Sequence, residues 1–257
     1  MSRLSRSTPR DRLPLLLGTA QIGSIGPTLA SALRAATALT ERLNPLDGGG
    51  FALVGDPTHA LAQIADWMRS HGHTGAWRNE QLAVRNTQGE QLATVERGAT
   101  RPLGITTQSV HMVGTTLAGK AWVQQRSASK ADDPGLWDTL VGGMIGARET
   151  WQSALSREAW EEAGLDCTEL TQRGNAVSDC GVVTFCCEVP SGTEGLMVEE
   201  VRAVRCLIPD DVVPKNQDGE VTAFACLTLD ALADQIDAGQ FTVVASLVIA
   251  RCLGWER

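Results

Sequence analysis

The stretch from Gly142 to Leu165, GGMIGARETWQSALSREAWEEAGL, leaves this chain less freedom than any other part of it. Trp151 to Ala163 holds neither proline nor glycine and consists mostly of good helix formers. Thr150 can cap its first turn, and Gly164 stands where a left-handed residue ends a helix. The spacing predicts a helix of about three to four turns. At about 100° per residue, Glu158, Glu161 and Glu162 fall within an arc of roughly 100° at its C-terminal end, with Trp151, Ala154 and Leu155 on the same side nearer its start. One face is thus apolar in its first half and carries three carboxylates in its second.

Neighbouring carboxylates repel one another, and at a helix C-terminus they also meet the negative end of the macrodipole. Such an arrangement needs positive charge close by. A hard divalent cation with oxygen ligands, Mg²⁺ or Mn²⁺, meets that need where the remaining ligands are phosphate and water. The loop Gly142 to Gly146 contains three glycines, so its backbone can approach a metal or a phosphate closely. Arg157 points away from Glu158 on the helix, yet its fork can reach across to hold Glu149 or Glu158 as a bidentate pair. Arg148 faces either substrate or solvent. A bare Glu-x-x-Glu-Glu would ordinarily be a solvated helix end, but the glycine loop, Glu149 and Arg157 at fixed offsets argue against that reading.

Gly143, Glu149, Arg157, Glu158, Glu161, Glu162 and Gly164 together resemble the signature of the Nudix hydrolases at every fixed position. For that many fixed residues at ordinary usage, a chance match in a chain of this length is on the order of one in 10^5. The resemblance implies an α/β fold, an α/β/α sandwich with a mixed sheet. It also implies metal ligation by Glu158, Glu161 and Glu162 beside the Gly143 backbone, with an orienting or second-metal role for Glu149. The reaction it implies is metal-dependent hydrolysis of a diphosphate, with Glu158 or Glu220 taking the proton of the attacking water. Glu220 enters because Nudix enzymes often use a glutamate outside the motif; Glu199 and Glu200 stand behind it. The pH optimum is alkaline if hydroxide formation limits the rate.

Around this stretch the chain bounds its own class. A length of 257 residues allows one large or two small domains. A formal charge of −8 argues against an extended nucleic-acid contact. The cysteines form no Cys-x-x-Cys and read as reduced core residues. No apolar run approaches the roughly 18 to 20 residues that cross a bilayer, so the chain reads as soluble, without a membrane partner, and cytoplasmic. Arg3, Arg6, Arg10 and Arg12 read as a ragged, solvated N-terminus rather than a mitochondrial leader.

Residues 1–100 read as a small α/β domain. It has a helix from Pro27 through Leu29, Leu33, Ala36 and Leu39, a strand at Phe51 to Gly55, a helix from Pro57 to about Ser70, and a hairpin of 81–86 with 91–96. His59, His71 and His73 read as exposed helix-end residues without a role. The boundary is placed near Arg101, and 101–257 forms the second domain. Its strands are expected at 109–113, 121–125, within PGLWDTLVGGM, and at 181–189, 202–208 and 221–227, with closing helices at 229–238 and 242–253. Residues 192–200 and 209–220 read as loops. In WVQQR, Trp122 and Gln124 should point one way and Val123 and Gln125 the other.

WRNE at 77–80, ERGATRPLGITTQSVH at 96–111, WVQQRSASKADDPGLWDTLVGGM at 122–144 and DGEV at 218–221 resemble one Nudix branch, which includes the C-terminal half of certain fungal thiamine pyrophosphokinases. That narrower resemblance implies hydrolysis of thiamine diphosphate, or of its oxidised analogues, to the monophosphate. A flat cationic ring would suit an aromatic pocket, for which Trp77, Trp122 and Trp137 are the candidates, and Arg126 is a further substrate-binding candidate. Two alternatives stay open: ADP-ribose or another nucleoside diphosphate as substrate, and a non-catalytic ligand-binding regulator. Isopentenyl diphosphate isomerisation is disfavoured, because no cysteine precedes Cys167. The expected partner is a small-molecule diphosphate, and the N-terminal domain would wall the pocket or form a homodimer surface.

Overall fold

The computed structural model describes residues 11–130, 132–189 and 194–255. The chain divides into two compact units, one of Met1–Gln108, Gly146–Arg148 and Thr184–Glu200, the other of Ser109–Ile145, Glu149–Val183 and Val201–Arg257. No helix among the described residues is long and apolar enough to cross a membrane.

In the first unit, β1 (Leu13–Leu17), β2 (Ala20–Ile25), β3 (Leu43–Pro45) and β4 (Phe51–Leu53) form a sheet in the order β2-β1-β4-β3. The β1–β4 pair is parallel and the other pairs are antiparallel. Helix α1 (Pro27–Ala35) starts on its proline, whose missing N–H costs nothing in a first turn. It ends earlier than the apolar spacing predicts. Leu39 is still buried, but it sits in a separate turn of 3₁₀ helix at Thr37–Leu39. Helix α2 (Pro57–Ser70) is capped by Asp56, which accepts from the His59 amide at 2.8 Å. The hairpin β5 (Gln81–Arg85) and β6 (Gln91–Glu96) leads into a single turn, α3 (Arg97–Thr100). Leu15, Ile25, Phe51, Leu61, Ile64 and Met68 fill the core.

Two N-terminal expectations change. Arg3, Arg6 and Arg10 lie outside the described residues. Arg12 is not solvated: its guanidinium donates to Ser24 Oγ at 2.9 Å and to the carbonyls of Ser24, Pro102 and Glu194. His59 and His71 are exposed, while His73 is half-buried, and both His71 and His73 stack on Trp67.

The second unit holds most of a mixed sheet of β7 (Thr107–Thr115), β8 (Lys120–Arg126), β9 (Trp137–Thr139), β10 (Val141–Met144), β11 (Ser178–Glu188), β12 (Leu196–Leu207) and β13 (Val221–Thr228). Its order is β11-β12-β7-β8-β13, with β10 paired to β7 and β9 to β8. Period-two alternation sends side chains to two cores. Val110, Met112, Val204 and Ile208 pack with α4 (Trp151–Ala163) and α5 (Cys167–Gln172). Val113, Val123, Val201 and Ala203 pack with α6 (Leu229–Asp237) and α7 (Val243–Leu253). Helices therefore cover both faces of the sheet, the expected α/β/α layering.

Three local readings are corrected. PGLWDTLVGGM holds two short strands rather than one, because β9 and β10 pair with different partners. α5 was not anticipated. β12 begins at Leu196, so Glu199 and Glu200 are strand residues and not loop residues; Glu199 is buried, and Glu200 accepts from Gln108 Nε2 at 3.1 Å.

Candidate active site

Helix α4 owes its limits to local chemistry. Thr150 Oγ1 accepts from the Ser153 amide while Ser153 Oγ accepts from the Thr150 amide, a reciprocal cap. Gly164 closes the helix at φ 63°, ψ 27°, a conformation that penalises any side chain. Beyond it, the Lys215 amide donates to Ala163 O at 2.8 Å and the Gln217 amide to Glu161 O at 3.0 Å. These bonds satisfy carbonyls that a helix C-terminus leaves open. The same loop delivers Glu220: Asn216 Nδ2 donates to Val221 O at 2.8 Å, and the Glu220 amide donates to Asp218 Oδ1 at 2.8 Å.

One guanidinium gathers the first carboxylates. Arg157 grips Glu149 through Nε–Oε1 at 2.9 Å and Nη2–Oε2 at 3.0 Å, the bidentate pair that its reach allows. Its Nη1 also donates to Glu158 Oε1 at 2.7 Å and Glu161 Oε2 at 3.2 Å, and Nη2 donates to Met144 O at 3.2 Å. The hydrogen bond to Glu149, against the cost of burial, holds the arginine more firmly protonated than usual. Burial pushes the Glu158 carboxyl up even though Arg157 opposes it. Only glycine suits position 143, because a β-carbon there would overlap the Glu158 carboxylate. At Gly142 a β-carbon would lie 2.5 Å from the His111 ring.

Glu162 is 2% exposed. Its Oε2 accepts from the Gly142 amide at 2.8 Å and from Gln124 Nε2 at 2.9 Å. Burial nevertheless pushes its pKa up to about 8; the Gly142 amide works against this, and the nearby Glu158 charge adds to it. Lys130 Nζ stands 3.9 Å from Glu162 Oε1 and also contacts the Glu220 carboxylate. The amide oxygen of Gln124, Oε1, is buried and has no hydrogen-bond partner.

Glu149, Arg157, Glu158, Glu161, Glu162, Gly143 and, through Lys130, Glu220 are thus brought into one neighbourhood. Trp122 and Gln124 point as the alternation predicts, and Trp122 packs half-buried against the α4 core. Trp137 goes elsewhere: it packs against the α6/α7 core on the other face of the sheet. Trp77 lies in the first unit, with Arg69 4.4 Å over its ring and its Nε1 donating to Asn79 Oδ1. Arg126 is occupied within the protein, pairing with Asp138 Oδ2 at 3.0 Å and donating twice to Asp132 O. Lys130, Gln124 and Asp138 were missed. For Gln124 a signal existed, since a polar residue shared the inward direction of Trp122.

The expected ligand set is not gathered as a ready metal shell: among the described residues no three His, Cys, Asp or Glu side chains group in a way that could hold an ion. The reason is that Glu158 and Glu161 share Arg157 while Glu162 faces Gln124 and Gly142. The donor chemistry still fits a hard divalent cation. Every candidate ligand is a carboxylate or backbone oxygen, and Glu162 is a buried carboxylate short of positive charge.

A family model described as NUDIX domain matches residues 106–247, more than half of the chain. Nudix hydrolase 20, chloroplastic, of Arabidopsis thaliana is 30% identical over 193 residues, covering 72% of this chain and 49% of its own. An uncharacterised Saccharomyces cerevisiae protein, YJR142W, is 27% identical over 183 residues, covering 67% of this chain and 53% of its own. The chain therefore spans about half the length of these relatives. Among solved structures, that of DR0079 from Deinococcus radiodurans is similar in fold, with a TM-score of 0.51 and 24% identity over 67% of this chain and 99% of that one.

Proposed function

This chain belongs to the Nudix hydrolase family, and from that premise we propose that it hydrolyses the phosphoanhydride bond of an organic diphosphate with the help of Mg²⁺ or Mn²⁺. The reading is carried by the C-terminal end of α4, where Glu158 and Glu161 surround one arginine and Glu162 is buried with only neutral hydrogen-bond donors and a lysine 3.9 Å away. A bound divalent ion would neutralise charge on the phosphates and acidify the attacking water. The chain's own residues do the rest. Arg157 orients Glu149, Glu158 and Glu161; Gln124 and the Gly142 amide fix Glu162; Gly143 leaves room for the Glu158 carboxylate. Glu158 or Glu220 accepts the proton of the water.

Thiamine diphosphate or its oxidised analogues, cleaved to the monophosphate, are the substrates this reading favours. Support comes from the branch-like stretches at 77–80, 96–111, 122–144 and 218–221, and from Trp122, which shares a strand face with Gln124. In the same reading residues 101–257 carry the chemistry, 1–100 are accessory, the location is cytoplasmic, and a homodimer is checked by light scattering. A panel of thiamine diphosphate, oxothiamine diphosphate and ADP-ribose, compared by kcat/KM in Mg²⁺, tests the substrate. The thiamine compounds should lead. A lead for ADP-ribose would replace them, and binding without phosphate release would return the regulator alternative.

A further inference from the structure

The two cations of the site are held in different ways. Arg157 is fixed by hydrogen bonds to three carboxylates and a carbonyl. Lys130 offers a single ammonium on a flexible stem, and it touches the exposed Glu220 while standing 3.9 Å from the buried Glu162. Its backbone is nevertheless placed by a folded loop. The Ser127 amide donates to Glu220 O at 2.9 Å, the Lys130 amide to Ser127 O at 3.2 Å, the Gly135 amide to Arg126 O at 3.1 Å, and Arg126 holds Asp132 O. The fold thus delivers one exchangeable positive charge to the carboxylate that has only neutral donors otherwise.

We propose that Lys130 is the built-in counter-ion of this site: its ammonium bridges Glu162 and Glu220 in the metal-free protein and must withdraw before a divalent cation takes those carboxylates. This inference rests on the metal-dependent reading above. Lys130 is then a competitor that sets metal affinity, and its withdrawal loosens the loop between β8 and β9. The sign of its effect separates this from a structural role. Removing a supporting residue weakens metal binding, whereas removing a competitor strengthens it.

The test is a Mn²⁺ titration of the metal-free full chain without substrate, with free Mn²⁺ followed by electron paramagnetic resonance. Lys130→Gln should bind Mn²⁺ roughly two- to fivefold tighter than the wild type, as expected for loss of a partly exposed ion pair. Lys130→Arg, which keeps the charge, should stay near the wild-type value. In the wild type, amide exchange in the loop after β8 should quicken on adding Mn²⁺, a readout that does not depend on how the variants fold. Unchanged or weaker binding by Lys130→Gln, or a loop whose exchange ignores Mn²⁺, overturns the proposal while leaving the hydrolase reading in place. Wild-type protein that binds no Mn²⁺ removes that reading and this inference together.

Discussion

Asp138 and Glu162 are almost equally hidden from water, at 3% and 2% exposure, and the protein treats them oppositely. Burial pushes the Asp138 carboxyl up, but His111 at 3.6 Å, Arg126 at 3.0 Å and the Thr139 amide outweigh it and hold it below the usual carboxylate range. Glu162 has two neutral donors, a lysine 3.9 Å away and a repelling neighbour in Glu158, and burial wins, raising it to about 8. Depth alone does not decide the charge of a buried acid; a fixed cation at contact does. Asp138 is completed by its own chain and belongs to the structure. Glu162 is left short of positive charge, which marks it as the group that meets something from outside.

The largest effect expected from this contrast is on turnover. Glu161→Gln and Glu162→Gln keep the shape of each side chain, and a glutamine carbonyl at 162 can still accept from Gly142, so both variants should fold. Each should lower kcat by on the order of 10^2 to 10^3, the loss typical of removing one preorganised electrostatic contact. Near-wild-type turnover from either would break the proposed roles. Next in size is Asp138→Asn, which strips Arg126 and His111 of their shared acid and should cost about 3 kcal/mol in urea unfolding. Because the folded pKa of Asp138 lies below its ordinary 3.8, its stabilisation is complete above about pH 4 and is lost as pH falls below that value. The wild type should therefore weaken between about pH 4 and pH 2 more steeply than Asp138→Asn. Parallel curves would show that Asp138 is not the paired partner described here.

The ease of reading the sequence divides along the same line. Helix α4, its Thr150 and Gly164 ends and the reach of Arg157 to Glu149 depend on spacing within one helix and its approach, and such local constraints are written in consecutive residues. Lys130 and Asp138 come to their partners through the pairing of β8 with β9 and the return of β13, which no single stretch specifies. Trp137 illustrates the limit. Its partner across the ladder is Gln125, whose direction was readable, but the pairing itself was not, so its place in the α6/α7 core could not be inferred. The early end of α1 has another origin: apolar spacing continues to Leu39, and that residue reaches the core from a 3₁₀ turn as well as it would from a helix.

If Glu162 has no cation in hydrogen-bond contact, supplying a divalent one should stabilise the fold. At a Mn²⁺ concentration about 100 times the dissociation constant, linkage gives about 2.7 kcal/mol. For a domain of this size that is a rise of very roughly 5 to 10 °C in Tm. Asp138→Asn should show the same increment from its lower baseline, and Glu162→Gln a much smaller one. Equal increments in all three would mean that the ion binds elsewhere.

A third acid supplies the smallest effect. Asp166 is exposed, and its Oδ1 accepts from the amides of Thr168 at 2.7 Å and Glu169 at 3.2 Å, where it caps α5. It needs no cation, because the open N–H groups of a helix start supply what Arg126 gives Asp138. Asp166→Ala should therefore cost about 1 kcal/mol of stability, and Asp166→Asn only a few tenths, since asparagine caps as well as aspartate. Neither should alter the Mn²⁺ increment in Tm or the kcat. A loss of metal response in Asp166→Ala, at a stability cost this small, would mean that the carboxylate end of α4 depends on how the chain leaves the helix, and that metal binding is not set by Glu158, Glu161 and Glu162 alone.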